Sequence, residues 1–295
     1  MAMLQWSYYA YTPSAIPAII GVGIYCTLAA THALRLISTR AWDGTFMVLG
    51  SLFQAMGCGA RILSAHDQSN QGAWAAQYVF LIWGPALIMF TVNLTGVEFV
   101  KGLGAEKKVF IKPRIARPLY FTLNAILFLL LSVGVVMKVT ATATNKLQLG
   151  TTLTKAGFVI QLLFWVFIFV ENLVMTIRLG RDPTKECLEV IPNWKRWNQL
   201  VGLAISIIAM GHNVVQLTQL SATSDNFMSA TEWPAYAFDI YQMAVVLGAW
   251  AIWYLPGRCH ELTAKRKSCW GPMANADYQL TESGNVDDPD GRYRA

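Results

Sequence analysis

Gln54 and Arg61 stand seven residues apart inside one hydrophobic block, two helical turns along a single face. In another block His212, Gln216 and Gln219 are spaced by four and three. In a third, Glu232, Tyr236, Asp239 and Met243 are spaced by four, three and four. Those intervals put each set on one side of a helix. An ionisable group at mid-depth in a bilayer costs about 2.5–3.5 kcal/mol on insertion scales, so such groups face a protein interior or a watery cavity. Arg61 with Asp239 or Glu232 is the compensating pair on offer. If the three faces converge at one level, they line a cavity suited to the polar head of an amphiphile, with apolar walls for its tail. The candidate binding residues are therefore Arg61, Asp239 and Glu232 as a charged core, with His212, Gln216, Gln54 and Tyr236 around it.

Each of these residues has a plainer reading. A buried Arg–Asp pair often only neutralises itself and fixes packing. Gln54 and Gln77 fit as interhelical hydrogen-bonding groups, worth about 0.6 kcal/mol on average. His32 and His212 read first as packing residues, and nothing near them has metal-ligand spacing, so no metal is expected. Glu98, Glu171 and Lys155 lie near block ends, where snorkelling explains them. Pro85 predicts a kink. Gly21-Val22-Gly23 implies close helix packing and nothing more. Asn93-Leu94-Thr95 matches a glycosylation pattern but lies inside a block. No phosphate loop, HExxH, CxxC or GxSxG is present, so neither a bound cofactor nor ATP-driven pumping by this chain is expected.

The elements that must position these residues are legible from the composition. Of 295 residues, 55% are hydrophobic and 14% charged, against about 25% charged in soluble domains. Seven apolar blocks, at roughly 16–36, 45–64, 76–97, 119–138, 152–173, 200–221 and 234–255, reach the ~20 residues needed to cross a bilayer. The fold class is thus all-α, a polytopic bundle of seven transmembrane helices. The first block is too long for a cleavable signal peptide and follows no charged leader, so it is expected to remain as a span. Trp42, Trp74, Trp233 and Trp253 fall near block ends, where an interfacial aromatic belt is expected.

Orientation follows from the basic residues. Lys101, Lys107, Lys108, Lys112, Arg114 and Arg117 follow the third block, and Arg178, Arg181, Lys185, Lys195 and Arg196 follow the fifth. Arg258, Lys265, Arg266 and Lys267 follow the seventh. The opposite loops offer Lys138, Lys146 and Lys155. The positive-inside rule places the N-terminus outside and the C-terminus in the cytoplasm. The sequence divides into a short external N-terminus (1–15), the bundle (16–257) and a disordered cytoplasmic tail (258–295). The +6 formal charge is then a topology signal, with attraction to anionic lipid heads, and not a nucleic-acid footprint. Five cysteines, Cys26 and Cys58 within blocks and Cys187, Cys259 and Cys269 on the cytoplasmic side, give no disulfide framework. Cys259 has the position of a palmitoylation site, though a free thiol is the simpler expectation.

At these same residues the sequence resembles the fungal lipid-translocating exporter family, named for resistance to aminocholesterol. Tyr11-Thr12-Pro13-Ser14 stands where the family has Tyr-x-Pro-Ser, and His32 matches a histidine late in the first span. Gln54-Ala55-Met56-Gly57-Cys58-Gly59-Ala60-Arg61 stands in place of Glu-x-x-Gly-Tyr-x-x-Arg. Pro85 and Gln161 meet the proline of the third span and the glutamine of the fifth. Glu232, Trp233, Tyr236, Phe238, Asp239 and Met243 match Glu-Trp-x-x-Tyr-x-Phe-Asp-x-x-x-Met, and Leu255-Pro256-Gly257 follows in place of His-Pro-Gly. The resemblance covers all seven spans. It implies export or translocation of amphiphiles such as sphingoid bases and sterol-like compounds, porphyrin uptake, stress resistance, or a place in secondary metabolism. The departures remove charge: Asn213-Val214-Val215-Gln216 replaces Arg-x-x-Glu, and Gln54 replaces a glutamate. Amides there keep hydrogen bonding and weaken any proton-coupled or charge-selective role of those positions.

The leading expectation is a plasma-membrane translocator of an amphiphilic lipid or secondary metabolite, partnered by membrane lipids and by no nucleic acid. A membrane-embedded cyclase or isomerase is the second reading, with Asp239 or Glu232 as a general acid and aromatic walls stabilising a cation. A seven-helix receptor is the third, and the missing outer-loop disulfide weighs against it.

Overall fold

The computed structural model describes residues 9, 11–189, 193–221, 231–253, 256, 257 and 259. Leu255, Cys269 and, apart from Cys259, the tail expected at 258–295 lie outside the described residues. Seven helices among the described residues are long and apolar enough to cross a membrane. They are α1 (Ala15–Thr39), α2 (Thr45–His66), α3 (Gln71–Gly102), α4 (Pro113–Val139), α5 (Thr144–Arg181), α6 (Trp194–Ser221) and α7 (Trp233–Trp253). No strand occurs among the described residues. The chain forms a multi-pass membrane bundle.

Local chemistry sets the helix ends. The side chain of Asn70 accepts the Ala73 N–H at 3.0 Å and caps α3. Pro113 opens α4 at its first position, where a missing N–H costs nothing. Arg40 ends α1 in the left-handed region at φ 53° and returns its N–H to Leu36. Several helices outrun the apolar blocks that announce them. α5 has 38 residues, about 57 Å at 1.5 Å per residue, so it projects beyond a ~30 Å hydrocarbon core or tilts strongly. α3 runs on through Pro85 without a break.

Consecutive helices from α1 to α6 pack side by side, and α7 returns against both α6 and α1. α3 is the most enclosed; every residue from 84 to 95 is buried. Outward faces carry Leu129, Leu163, Val245 and Ile252, each more than half exposed, while Gln54, Arg61, Asn93, Asn213 and Asp239 are buried. That distribution is what lipid as solvent selects. α2 and α3 meet backbone to backbone: a Cβ on Gly50 would lie 2.7 Å from the Gly84 carbonyl oxygen, the close approach small residues permit between membrane helices.

The seam between α1 and α7 is joined by tyrosine hydroxyls. Tyr236 donates to the Ser14 carbonyl at 3.1 Å, Tyr241 to the Pro17 carbonyl at 2.9 Å, and Tyr25 to the Ile240 carbonyl. Lower in the same seam His32 Nε2 meets the Leu247 carbonyl at 3.1 Å. The backbone of α7 widens to π-helix over Tyr236–Ile240, and that of α6 does so over Gln199–Ala204. Such single turns re-aim side chains and are frequent at functional sites.

At the end of the bundle opposite the N-terminus, Arg117 bridges Asp43 (2.8 Å) and Glu98, and Lys101 also meets Glu98 at 2.8 Å. Glu171 is buried there, accepting the Ile111 N–H at 3.1 Å and the Tyr120 hydroxyl at 2.6 Å. Snorkelling therefore describes neither Glu98 nor Glu171. Both tie helices and loops together.

Candidate functional site

Arg61 sits in the last turns of α2 with 1% of its surface exposed. Its Nε donates to the Tyr236 hydroxyl at 2.9 Å, and its Nη2 to the Tyr11 hydroxyl at 3.0 Å and to Glu232 Oε1 at 2.9 Å. The guanidinium carbon also stands 4.8 Å from the centroid of the Tyr236 ring, close enough for a cation–π contribution. Of the two carboxylates the sequence offered it, Arg61 takes Glu232. The same Oε1 accepts the Ser14 N–H at 2.8 Å, so the pair also anchors the start of α1.

Asp239, about two turns deeper on α7 than Glu232, is tied instead to α6. Gln216 Nε2 donates to its Oδ2 at 3.1 Å, and His212 Nδ1 stands 3.5 Å from its Oδ1. Among the described residues, neither that oxygen nor that nitrogen has a hydrogen-bond partner.

Between these two groups lies a cavity of about 190 Å³ at the N-terminal end of the bundle. Its polar wall is built from Arg61, Gln77, Gln216, Gln219 and Asp239. Tyr9, Tyr11, Trp74 and Tyr78 supply rings, and Leu81 and Ile82 form an apolar floor. Tyr9 donates to Gln77 Oε1 at 2.8 Å, and burial raises its phenol pKa, so it remains a neutral donor. Lys138 donates to the Tyr78 hydroxyl at 2.6 Å, with its nitrogen 4.3 Å from the ring centroid. Pockets for drug-sized ligands run to roughly 300–1,000 Å³, so this space suits a head group and not a whole amphiphile.

Of the seven residues singled out by spacing, Arg61, Gln216 and Asp239 line the cavity. Glu232 and Tyr236 brace Arg61, and His212 stands behind Asp239. Gln54 is elsewhere. It is fully buried against Gly84, and neither end of its amide has a hydrogen-bond partner among the described residues. Sequence reasoning missed Tyr9, Tyr11, Trp74, Gln77 and Tyr78 as wall residues. Trp74, Gln77, Tyr78 and Leu81 recur at helical spacing, a signal read as membrane-interface and packing chemistry.

A smaller pocket of about 40 Å³ opens between α3, α4, α5 and α6 toward the other end, with Asn93, Trp165, Glu171 and Asn172 in its wall. A water needs ~10–15 Å³, so this space suits a few waters. No cluster of three or more His, Cys, Asp or Glu able to hold a metal ion occurs among the described residues.

A family model described as RTA1 like protein matches residues 47–262. Among curated proteins, protoporphyrin uptake protein 1 of Saccharomyces cerevisiae is 21% identical over 206 residues. That alignment covers 69% of this chain and 65% of the yeast protein, a little under two thirds of the relative's length. No solved structure matches the chain.

Proposed function

The chain belongs to the RTA1-like family of membrane proteins, and from that membership and the cavity we propose that it moves an amphiphilic lipid or secondary metabolite across the membrane. The observation that carries the proposal is the cavity wall: Arg61, held from behind by Glu232, with amides and the acidic Asp239, faces tyrosine and tryptophan rings at one end of the bundle. Such a wall binds a polar head by hydrogen bonds and ring contacts, while the lipid-facing helices receive the tail. A relative named for protoporphyrin uptake supports handling of a large amphiphile with a polar edge. The excess of lysine and arginine after the third and fifth spans supports placing the N-terminus and the cavity outside, with the loops at 103–112 and 182–193 in the cytoplasm. Membrane lipids and the amphiphile are the partners in this reading, and the plasma membrane is its location.

The test is expression of the full chain in an amphiphile-sensitive yeast. Growth tolerance and cellular accumulation are measured for protoporphyrin, a sphingoid base, a sterol amine and a neutral terpenoid. A change for at least one compound, lost in Arg61→Gln at equal protein level, is the expected result. No change for any, with the protein located at the plasma membrane, overturns the reading.

A further inference from the structure

Arg61 and Glu232 account for each other's charge, which leaves Asp239 on the cavity wall bonded to an amide and, among the described residues, to no Lys or Arg. The groups around it come from several helices: Tyr25 of α1, Cys58 and Arg61 of α2, Tyr78 of α3, and His212 and Gln216 of α6, while Glu232 and Tyr236 of α7 itself are bonded to Arg61. Tyr25 gives its hydrogen to the Ile240 carbonyl, and Arg61 gives its own to Tyr11, Tyr236 and Glu232. From α5 the ring of Phe158 closes over the imidazole edge-on, with centroids 6.3 Å apart. His212 is thus the base placed to share a proton with Asp239 Oδ1.

Among the described residues, neither His212 Nδ1 nor Asp239 Oδ1 has a hydrogen-bond partner, and they face each other. In its neutral Nε2–H tautomer the imidazole turns the bare lone pair of Nδ1 toward Oδ1. Two acceptors then oppose each other across 3.5 Å in a site where His212 is 3% and Asp239 5% exposed. One proton on the line between them satisfies both atoms, and no other described side chain gives either a donor.

We propose that His212 and Asp239 together hold one exchangeable proton, which enters and leaves through the cavity that Asp239 lines. On release the O–H or N–H bond breaks, its electron pair stays on Asp239 or His212, and the proton passes to cavity water. Uptake is the reverse, with no change of oxidation state. The wall is electrically neutral at this point when the proton is held and carries one negative charge when it is gone. Any coupling to transport rests on the cavity being the ligand site. Proton binding itself does not.

Infrared titration of the full chain in lipid vesicles tests this without a ligand. The expected result is a titrating band, from the protonated carboxyl or the imidazolium, that vanishes as pH rises, is absent in Asp239→Asn, and exchanges promptly in heavy-water buffer. In His212→Gln its midpoint moves by about one pH unit or more, a tenfold change in proton affinity. If Asp239→Asn does not fold, Asp239→Glu keeps the carboxyl but moves it, and must shift both band and midpoint. An unchanged titration in these variants, or a band that resists heavy-water exchange, overturns the proposal. The yeast panel fails or succeeds independently: a titrating pair with no transport keeps the proton site and removes the translocator, and the converse removes only the proton site.

Discussion

Arg61 Nη2 lies 2.9 Å from Glu232 Oε1, and through the same oxygen Glu232 holds the Ser14 N–H at 2.8 Å. Three chain segments distant in sequence are thereby closed over one end of the bundle. Because Arg61 is almost wholly buried and Glu232 is 19% exposed, losing either partner leaves an unequal burden.

Arg61→Ala is expected to cost about 3–5 kcal/mol, the range for breaking a buried ion pair, by leaving Glu232 and two tyrosine hydroxyls without their donor. Glu232→Ala strands the more deeply buried charge and should cost at least as much. The double change Arg61→Gln with Glu232→Gln should be milder than the sum of its single changes, whereas Arg61→Gln with Asp239→Asn should be nearly additive. Thermal unfolding in mild detergent reads both cycles. Coupling in the Asp239 cycle equal to that in the Glu232 cycle would show that Arg61 divides itself between the two.

The glycines of the first two spans separate packing from mere helix composition. A Cβ on Gly50 meets the Gly84 carbonyl and Ile88 at 2.7 Å, while one on Gly23 meets nothing within 4 Å among the described residues. Gly50→Ala should therefore destabilise by roughly 1–3 kcal/mol, the usual cost of overpacking. Gly23→Ala should be neutral or slightly stabilising, because alanine is the better helix former. Equal losses of melting temperature for both would contradict the close α2–α3 contact.

Cys187 and Cys259 bear on whether Cys259, placed by sequence where palmitoylation could occur, is the free thiol that is the simpler expectation. Both are buried in a small cluster with Phe99, Leu103, Met175 and Trp194, at 1% and 2% exposure. Burial raises the Cys187 thiol pKa and pushes that of Cys259 up to about 12. The thiolate is the reactive form and is scarce below that pKa, so both should resist alkylation at pH 7–8 until the fold is opened. Peptide mass spectrometry after brief alkylation, with and without denaturant, checks this. An acyl chain found on Cys259 from cells would mean that the cluster opens in the membrane.

The seven spans were legible because so many apolar runs of bilayer length, in a chain this short, can be buried only by lipid. Their ends were not: hydropathy marks 152–173, whereas α5 extends from Thr144 to Arg181, because polar turns continue a helix without raising its hydropathy. The convergence of Arg61, Gln216 and Asp239 could be read from helical spacing. The choice between Glu232 and Asp239 could not, because they lie seven residues apart on one nominal face and the π turn at Tyr236–Ile240 re-aims Asp239 toward α6. Nor could the return of Tyr9 and Tyr11 over the cavity be seen, since no periodicity governs a short segment outside a helix. Gln54 was misplaced for the opposite reason. Two turns from Arg61 on a nominally shared face, it packs against Gly84 of α3 at a depth the cavity does not reach, whereas Arg61 bonds to Tyr236 and Glu232 of α7.

That separation of Gln54 from Gln216 yields the last prediction. Both amides replace acidic residues of the family pattern, yet only Gln216 touches the cavity wall, through its 3.1 Å bond to Asp239. Gln216→Glu places a second carboxyl beside the first, and two acids at that distance share a proton and gain strongly from a nearby cation. A charge-assisted bond exceeds a neutral one by about 1 kcal/mol, so preference for sphingoid or sterol amines over a neutral terpenoid should rise roughly fivefold. Gln54→Glu introduces a carboxyl between α2 and α3, where no described donor reaches the existing amide. It should lower the melting temperature, or remain protonated, without altering selectivity. Competition between the amine and the terpenoid in the yeast accumulation assay, at matched protein levels, compares the two variants directly. A fivefold shift from Gln54→Glu, or none from a folded Gln216→Glu, would place the selective wall somewhere other than Asp239.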